Sequence, residues 1–130
     1  MKVPTVALRA LAKKYKLQLL VLFGSHAQGL ARIGSDIDLA FYSLRKINEE
    51  RLYQDICSLL HREDVDVVNL GRTQNLYTRF EILNSCTLIF ESGKGFLSTM
   101  RGQSFIDYTD FKRFFDERSK ILDRRLAGMV

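Results

Sequence analysis

Between residues 23 and 41 the chain reads FGSHAQGLARIGSDIDLAF, which sets two carboxylates, Asp36 and Asp38, into an apolar run shortly after a Gly-Ser pair. Residues i and i+2 of a strand face the same way with Cα atoms about 6.6 Å apart, so both side chains can converge on two cations about 3.5 to 4 Å apart. Two-metal phosphoryl transfer requires that arrangement. Magnesium takes a few hard carboxylate oxygens and leaves the rest of its shell to water and substrate phosphate, a preference that an all-Asp site meets. A third carboxylate, Asp66 in the run VDVVNL, would hold the metal that activates the attacking oxygen or take its proton. Asp64 shares its face at period two but lies nearer the preceding loop, so Asp66 is the one expected at the site.

Gly24 and Ser25 supply the other half of such a site. Glycine lets backbone approach a phosphate closely, and Ser25 offers a hydroxyl and an N-cap for the short segment HAQGLAR. Free N–H groups at that turn would receive the phosphates of a nucleoside triphosphate. A Gly-Ser or a D-x-D alone carries little weight, since surface turns and capped strands produce both. Three carboxylates gathered in one sheet, however, repel one another and would destabilise the fold without a cation, which favours metal binding over a solvated polar edge.

The elements that must position these residues follow from periodicity. Pro4 and Thr5 open a helix with Val6, Leu8, Leu11 and Ala12 on one face and lysines opposite. The run LQLLVLF, residues 17 to 23, is continuous enough for a strand buried on both faces. In DIDLAFY, residues 36 to 42, Ile37, Leu39 and Phe41 alternate with Asp36, Asp38, Ala40 and Tyr42, which makes a second strand. Asn48 caps a helix running to about His61, residues 65 to 70 form a third strand, Gln74 to Leu83 a helix, and TLIFE, residues 87 to 91, a fourth strand. Gly93, Gly95 and Gly102 weaken the helical pattern until a C-terminal helix from about Asp107 to Leu126, with Phe111, Phe114, Phe115, Arg118, Ile121 and Leu122 at i, i+3, i+4 spacing.

For Gly24-Ser25 to meet Asp36, the first two strands must run antiparallel, and the short connection between them favours that pairing. The 48 to 61 helix is long enough for a right-handed crossover that makes the second and third strands parallel and brings Asp66 beside Asp36 and Asp38. The fold class expected is therefore α/β (α+β), a mixed four-stranded sheet with flanking helices in a single domain spanning residues 1 to 130.

Composition agrees with a globular protein, at 46% hydrophobic and 27% charged residues. No apolar run is long enough to span a bilayer and no signal-peptide core precedes Lys13, so a cytoplasmic location without membrane attachment is expected. Cys57 and Cys86 lack nearby ligands at metal spacing and read as buried free thiols. The net charge of +5 is unevenly spread: residues 1 to 35 carry Lys2, Arg9, Lys13, Lys14, Lys16 and Arg32 and no carboxylate, a lobe suited to a polyphosphate. It has no nucleic-acid recognition motif, so direct RNA or DNA binding ranks last.

G-S, ten residues, then D-x-D, with one more Asp in a later apolar strand, resembles the signature of the DNA polymerase beta-like nucleotidyltransferase superfamily. The short length and the run RFEILNSCTLIFES before the aromatic, charged helix DYTDFKRFFDER are similar to the minimal nucleotidyltransferase antitoxins paired with HEPN toxins. The resemblance covers nearly the whole chain and implies the polymerase beta-like nucleotidyltransferase fold with a long C-terminal helix. It places the triphosphate grip on Gly24 and Ser25, two metal carboxylates on Asp36 and Asp38, and the third on Asp66. The loop has Gln28 where that family often has Arg. The activity implied is transfer of AMP from ATP to a hydroxyl with release of pyrophosphate, using Mg2+, two ions by the carboxylate spacing. In the antitoxin branch the acceptor implied is a tyrosine of the cognate HEPN-type toxin.

Plainer readings stand beside these. His26 reads as a solvent-facing loop residue, His61 as a helix C-cap, Arg72 and Arg79 as surface helix arginines, and Tyr77, Tyr108 and the Phe111, Phe114, Phe115 cluster as core. Should the C-terminal helix be only partly covered, the cluster becomes a partner surface. Two other functions compete with the enzyme reading. One is a non-catalytic antitoxin that occludes its toxin; the other is a small-molecule nucleotidyltransferase of aminoglycoside-modifying type.

Overall fold

In the computed structural model, residues 3–32, 34–72 and 75–128 are described. The elements follow the order α1 (Thr5–Lys14), β1 (Leu19–Phe23), β2 (Ile37–Tyr42), α2 (Glu49–Leu60), β3 (Val65–Asn69), α3 (Leu76–Asn84), β4 (Thr87–Glu91) and α4 (Phe96–Ala127). The strands form one mixed sheet in the order β3-β2-β1-β4. β1 is antiparallel to both β2 and β4, whereas β2 and β3 are parallel, joined through α2.

β1 holds a central position, which is why four consecutive apolar residues, Leu19 to Leu22, are all buried. Its side chains alternate between two cores. On one face Leu20 and Leu22 join Ile37, Leu39 and Phe41 of β2, Val65 of β3 and Ile89 of β4 against Leu8 of α1 and Leu52 and Ile56 of α2. On the other, Leu19 and Val21 join Ala40 and Leu70 against Ile82 and Leu83 of α3 and Leu97 and Met100 of α4. Each fully buried aliphatic side chain contributes about 1.5–3 kcal/mol, so the alternation fixes which face β2 presents to each layer.

Several expectations require correction, the core placement of Tyr77, which is 49% exposed, among them. Val6 is 76% exposed: α1 meets the sheet through Leu8 and Ala12, and at 100° per residue Val6 lies on the far side of the helix from them. α4 begins at Phe96, well before Asp107. Gly95, at φ +86°, starts it, and the Glu91 carboxylate accepts the N–H groups of Gly95 (3.2 Å) and Leu97 (3.0 Å), which satisfies two donors at the open end. Gly102 then sits exposed on a helix already anchored by Leu97, Met100 and Ser104, and costs too little to break it. Phe111, Phe114 and Phe115 are not core, since α4 has left the sheet and α3 by that point and all three are more than half exposed. Cys57 and Cys86 are free but only half-buried. The expected start of the third helix at Gln74 lies outside the described residues; Asn75 caps α3 through hydrogen bonds from the N–H groups of Tyr77 and Thr78.

Candidate active site

The register of the sheet assembles the carboxylates. Phe23 at the end of β1 lies opposite Asp38, and Asp38 lies opposite Asp66 on β3, so the three form one row across the sheet. Asp36 precedes β2 two residues before Asp38, at the same end. Alternation sends Ile37 and Leu39 into the core with α1 and α2, which turns Asp38, like Ala40, to the side of α3 and α4.

Electrostatics marks the same row. Burial pushes the Asp38 carboxyl above the ordinary carboxylate range, and the negative charge and hydrogen bond of Asp66, then the charge of Asp36, push it the same way. His26 alone opposes them. Asp38 and Asp66 thus form the close pair, while Asp36, more exposed, acts on it through charge only. No three His, Cys, Asp or Glu side chains among the described residues close into a metal cage. A magnesium ion does not demand one, because it binds through one or two carboxylates and completes its shell with water and phosphate. Magnesium fits this donor set: it is all hard oxygen, and its half-buried member is held against two like charges that a bound cation would relieve.

Gly24 sits directly over that pair. Its φ is +72°, and a Cβ built on it would overlap Asp38 Oδ2 and come 3.2 Å from Asp38 Cγ. Both the backbone conformation and the space exclude a side chain. The following residues form a hydrogen-bonded turn, with Gln28 N–H to Gly24 O (3.2 Å) and Leu30 N–H to Ser25 O (2.9 Å), in place of the short capped segment expected. The N–H groups of Ser25, His26 and Ala27 take no part in those two bonds.

A strap that sequence reasoning missed holds the returning chain. Arg62 donates from Nη2 to the Ser35 carbonyl (2.6 Å) and from Nε to Asp64 Oδ1 (2.7 Å). His26 Nε2 lies 3.3 Å from the same Ser35 carbonyl. His26 is therefore half-buried beside the carboxylates, not solvent-facing. The hydrogen bonds from Arg62 hold the Asp64 carboxyl below its usual range, so Asp64 is engaged by an arginine while Asp66 faces Asp38. Only the i, i+2 placement of Arg62 and Asp64 hinted at the pair.

Beside Gly24 a cleft of about 580 Å3 runs between Phe23, Gln28 and Val68 and the face of α3 that carries Tyr77 and Glu81. It has the size of a small-molecule site. The other sequence candidates lie elsewhere. Arg72 follows β3, at the end of the sheet away from the carboxylates, and pairs with Glu49. Arg79 is half-buried on α3, its Nε without a partner among the described residues. His61 ends α2 in the left-handed conformation, its N–H on Cys57 O.

Residues 7–94 match the profile of the family described as Polymerase beta, Nucleotidyltransferase. No curated protein matches the chain. Among solved structures, a toxin-antitoxin with AMP-PNP is similar at a TM-score of 0.75 and 23% identity, covering 95% of this chain and 99% of that one. The toxin-antitoxin MntA-HepT is similar at 0.67 and 21%, over 94% and 96%. The tri-AMPylated Shewanella oneidensis HEPN toxin in complex with MNT antitoxin is similar at 0.67 and 21%, over 94% and 95%. At such identities these likenesses establish a shared fold, and with it the mixed sheet and long C-terminal helix.

Proposed function

Since the chain belongs to the polymerase beta nucleotidyltransferase family, we propose that it is a magnesium-dependent adenylyltransferase that moves AMP from ATP to a hydroxyl, that of a tyrosine, on a cognate HEPN-type toxin and thereby neutralises it. The observation that carries the reading is the Asp38–Asp66 pair with Gly24 pressed against it. The similar folds include one solved with AMP-PNP and one with a tri-AMPylated HEPN toxin, which points to this donor and this class of acceptor.

Asp36, Asp38 and Asp66 would hold magnesium, which when bound neutralises phosphate charge and polarises the α-phosphorus. Gly24 lets the backbone approach the triphosphate, and the Ser25 hydroxyl with the N–H groups of the turn would bind and orient its oxygens. The cleft along α3 would take the nucleoside. The acceptor hydroxyl oxygen forms a bond to the α-phosphorus as the bond from that phosphorus to the α,β-bridging oxygen breaks, and pyrophosphate leaves with the bonding pair. Asp66, exposed on the edge strand β3 where an acceptor has access, takes the hydroxyl proton.

One observation favours a second reading, a non-catalytic antitoxin that works by occlusion: the exposed aromatic stretch of α4. The two are separated by co-expressing the toxin with Asp36→Ala and Asp38→Ala together. Loss of rescue supports the enzyme, and full rescue of growth supports occlusion.

A further inference from the structure

The distal half of α4 is built to be covered. From Asp110 to Gly128 every described residue but Ser119 is exposed, so about 28 Å of helix stands away from the body. At 100° per residue, Phe111, Phe114, Phe115, Ile121 and Leu122 share a stripe about 120° wide, and their exposures run from 51% to 61%. Helices this exposed do not carry such a stripe for solubility.

The charges in the stripe say what would cover it. Arg118 and Arg125 stand at its centre, seven residues and so about 10 Å apart. Arg118 lies over the Phe114 ring at 5.7 Å, and both arginines border an open groove of about 530 Å3 with Phe115, Ile121 and Leu122. Asp110, Asp116, Glu117 and Asp123 all fall outside the stripe. A second copy of this chain would therefore bury the two guanidinium groups against a face with no carboxylate in it, which costs more than the apolar contact returns.

We propose that this stripe is the docking surface for a helical partner whose contact face is apolar and carries two carboxylates one i, i+7 step apart. The partner's identity as the toxin that accepts AMP rests on the function proposed above; the chemistry of the surface does not. Aromatic and Arg anchors dominate the energy of such contacts, so the two arginines with Phe115 carry most of the affinity.

The test is calorimetric titration of the chain with its cognate HEPN-type toxin, comparing wild type with Arg118→Glu plus Arg125→Glu. Both positions are solvent-exposed, so folding is retained, and AMP-PNP binding should stay within about twofold. The expected result is a loss of toxin affinity of about 100-fold or more, recovered when carboxylates on the toxin's contact helix are replaced by lysine. Absent binding by the wild type, unchanged affinity in the variant, or failure of the charge exchange overturns the proposal. So does sedimentation showing a wild-type dimer that the charge reversal disperses, or RNA binding lost in the variant. Toxin that binds through the arginines but is never adenylylated upholds the docking surface and removes the proposed function instead.

Discussion

At the scale of single residues, the site follows from side chains that are unfavourable where they stand. Asp38 is half-buried against two like charges, so the fold without metal is strained at that position. Asp38→Asn should raise the melting temperature of the metal-free protein by about 2–4 °C and abolish the stabilisation that magnesium with AMP-PNP gives the wild type, both read by calorimetry. Gly24→Ala meets the opposite problem: the added methyl overlaps Asp38 Oδ2 at a positive φ, so stability should fall by about 1–2 kcal/mol and transfer by at least about tenfold. Cys86 gives a pH test outside the site. Burial pushes its thiol above the ordinary range of a cysteine, with Arg101 opposing. The folded state disfavours the thiolate, so this contribution to stability is complete below about pH 8.5 and is lost as the pH climbs through the folded value. Wild type should therefore lose its urea-midpoint advantage over Cys86→Ala as the pH rises above about 8.5. Gly24, Asp36 and Asp38 were legible because their spacing carries the chemistry. The choice of Asp66 over Asp64 was a matter of strand position, and the structure adds the reason, since Arg62 occupies Asp64.

At the scale of elements, strands were easier to read than helix ends. The four apolar runs differ from the observed strands by at most two residues at either end, because burial on one or both faces leaves few ways to satisfy them. α4 was placed too late because three glycines within ten residues read as punctuation. Only the three-dimensional position of Glu91 shows that the first two define a helix start. Glu91→Ala removes the acceptor for two N–H groups, and chemical denaturation should report a loss of about 1–2 kcal/mol with nucleotide binding preserved. Equal stability of variant and wild type would show that solvent satisfies that end of α4 as well as Glu91 does.

At the scale of the whole molecule, the sheet spends one end on the carboxylates and Gly24, while α4 extends a face that nothing among the described residues covers. The Phe111, Phe114 and Phe115 cluster has the same spacing whether it packs inward or waits for a partner, which is why periodicity alone read it as core. Burial depends on what lies opposite, and that is a property of an assembly. Among the described residues no helix is long and apolar enough to cross a membrane. If the carboxylate row transfers AMP, the toxin itself must carry the product. The most direct measurement is intact-mass and peptide mass spectrometry of the HEPN-type toxin after incubation with the chain, ATP and magnesium. The toxin should carry AMP on tyrosine, with pyrophosphate released in equal amount and no modification in the presence of EDTA or with Asp36→Ala plus Asp38→Ala. Unmodified toxin in the complete reaction, or equal modification by the double variant, would contradict it.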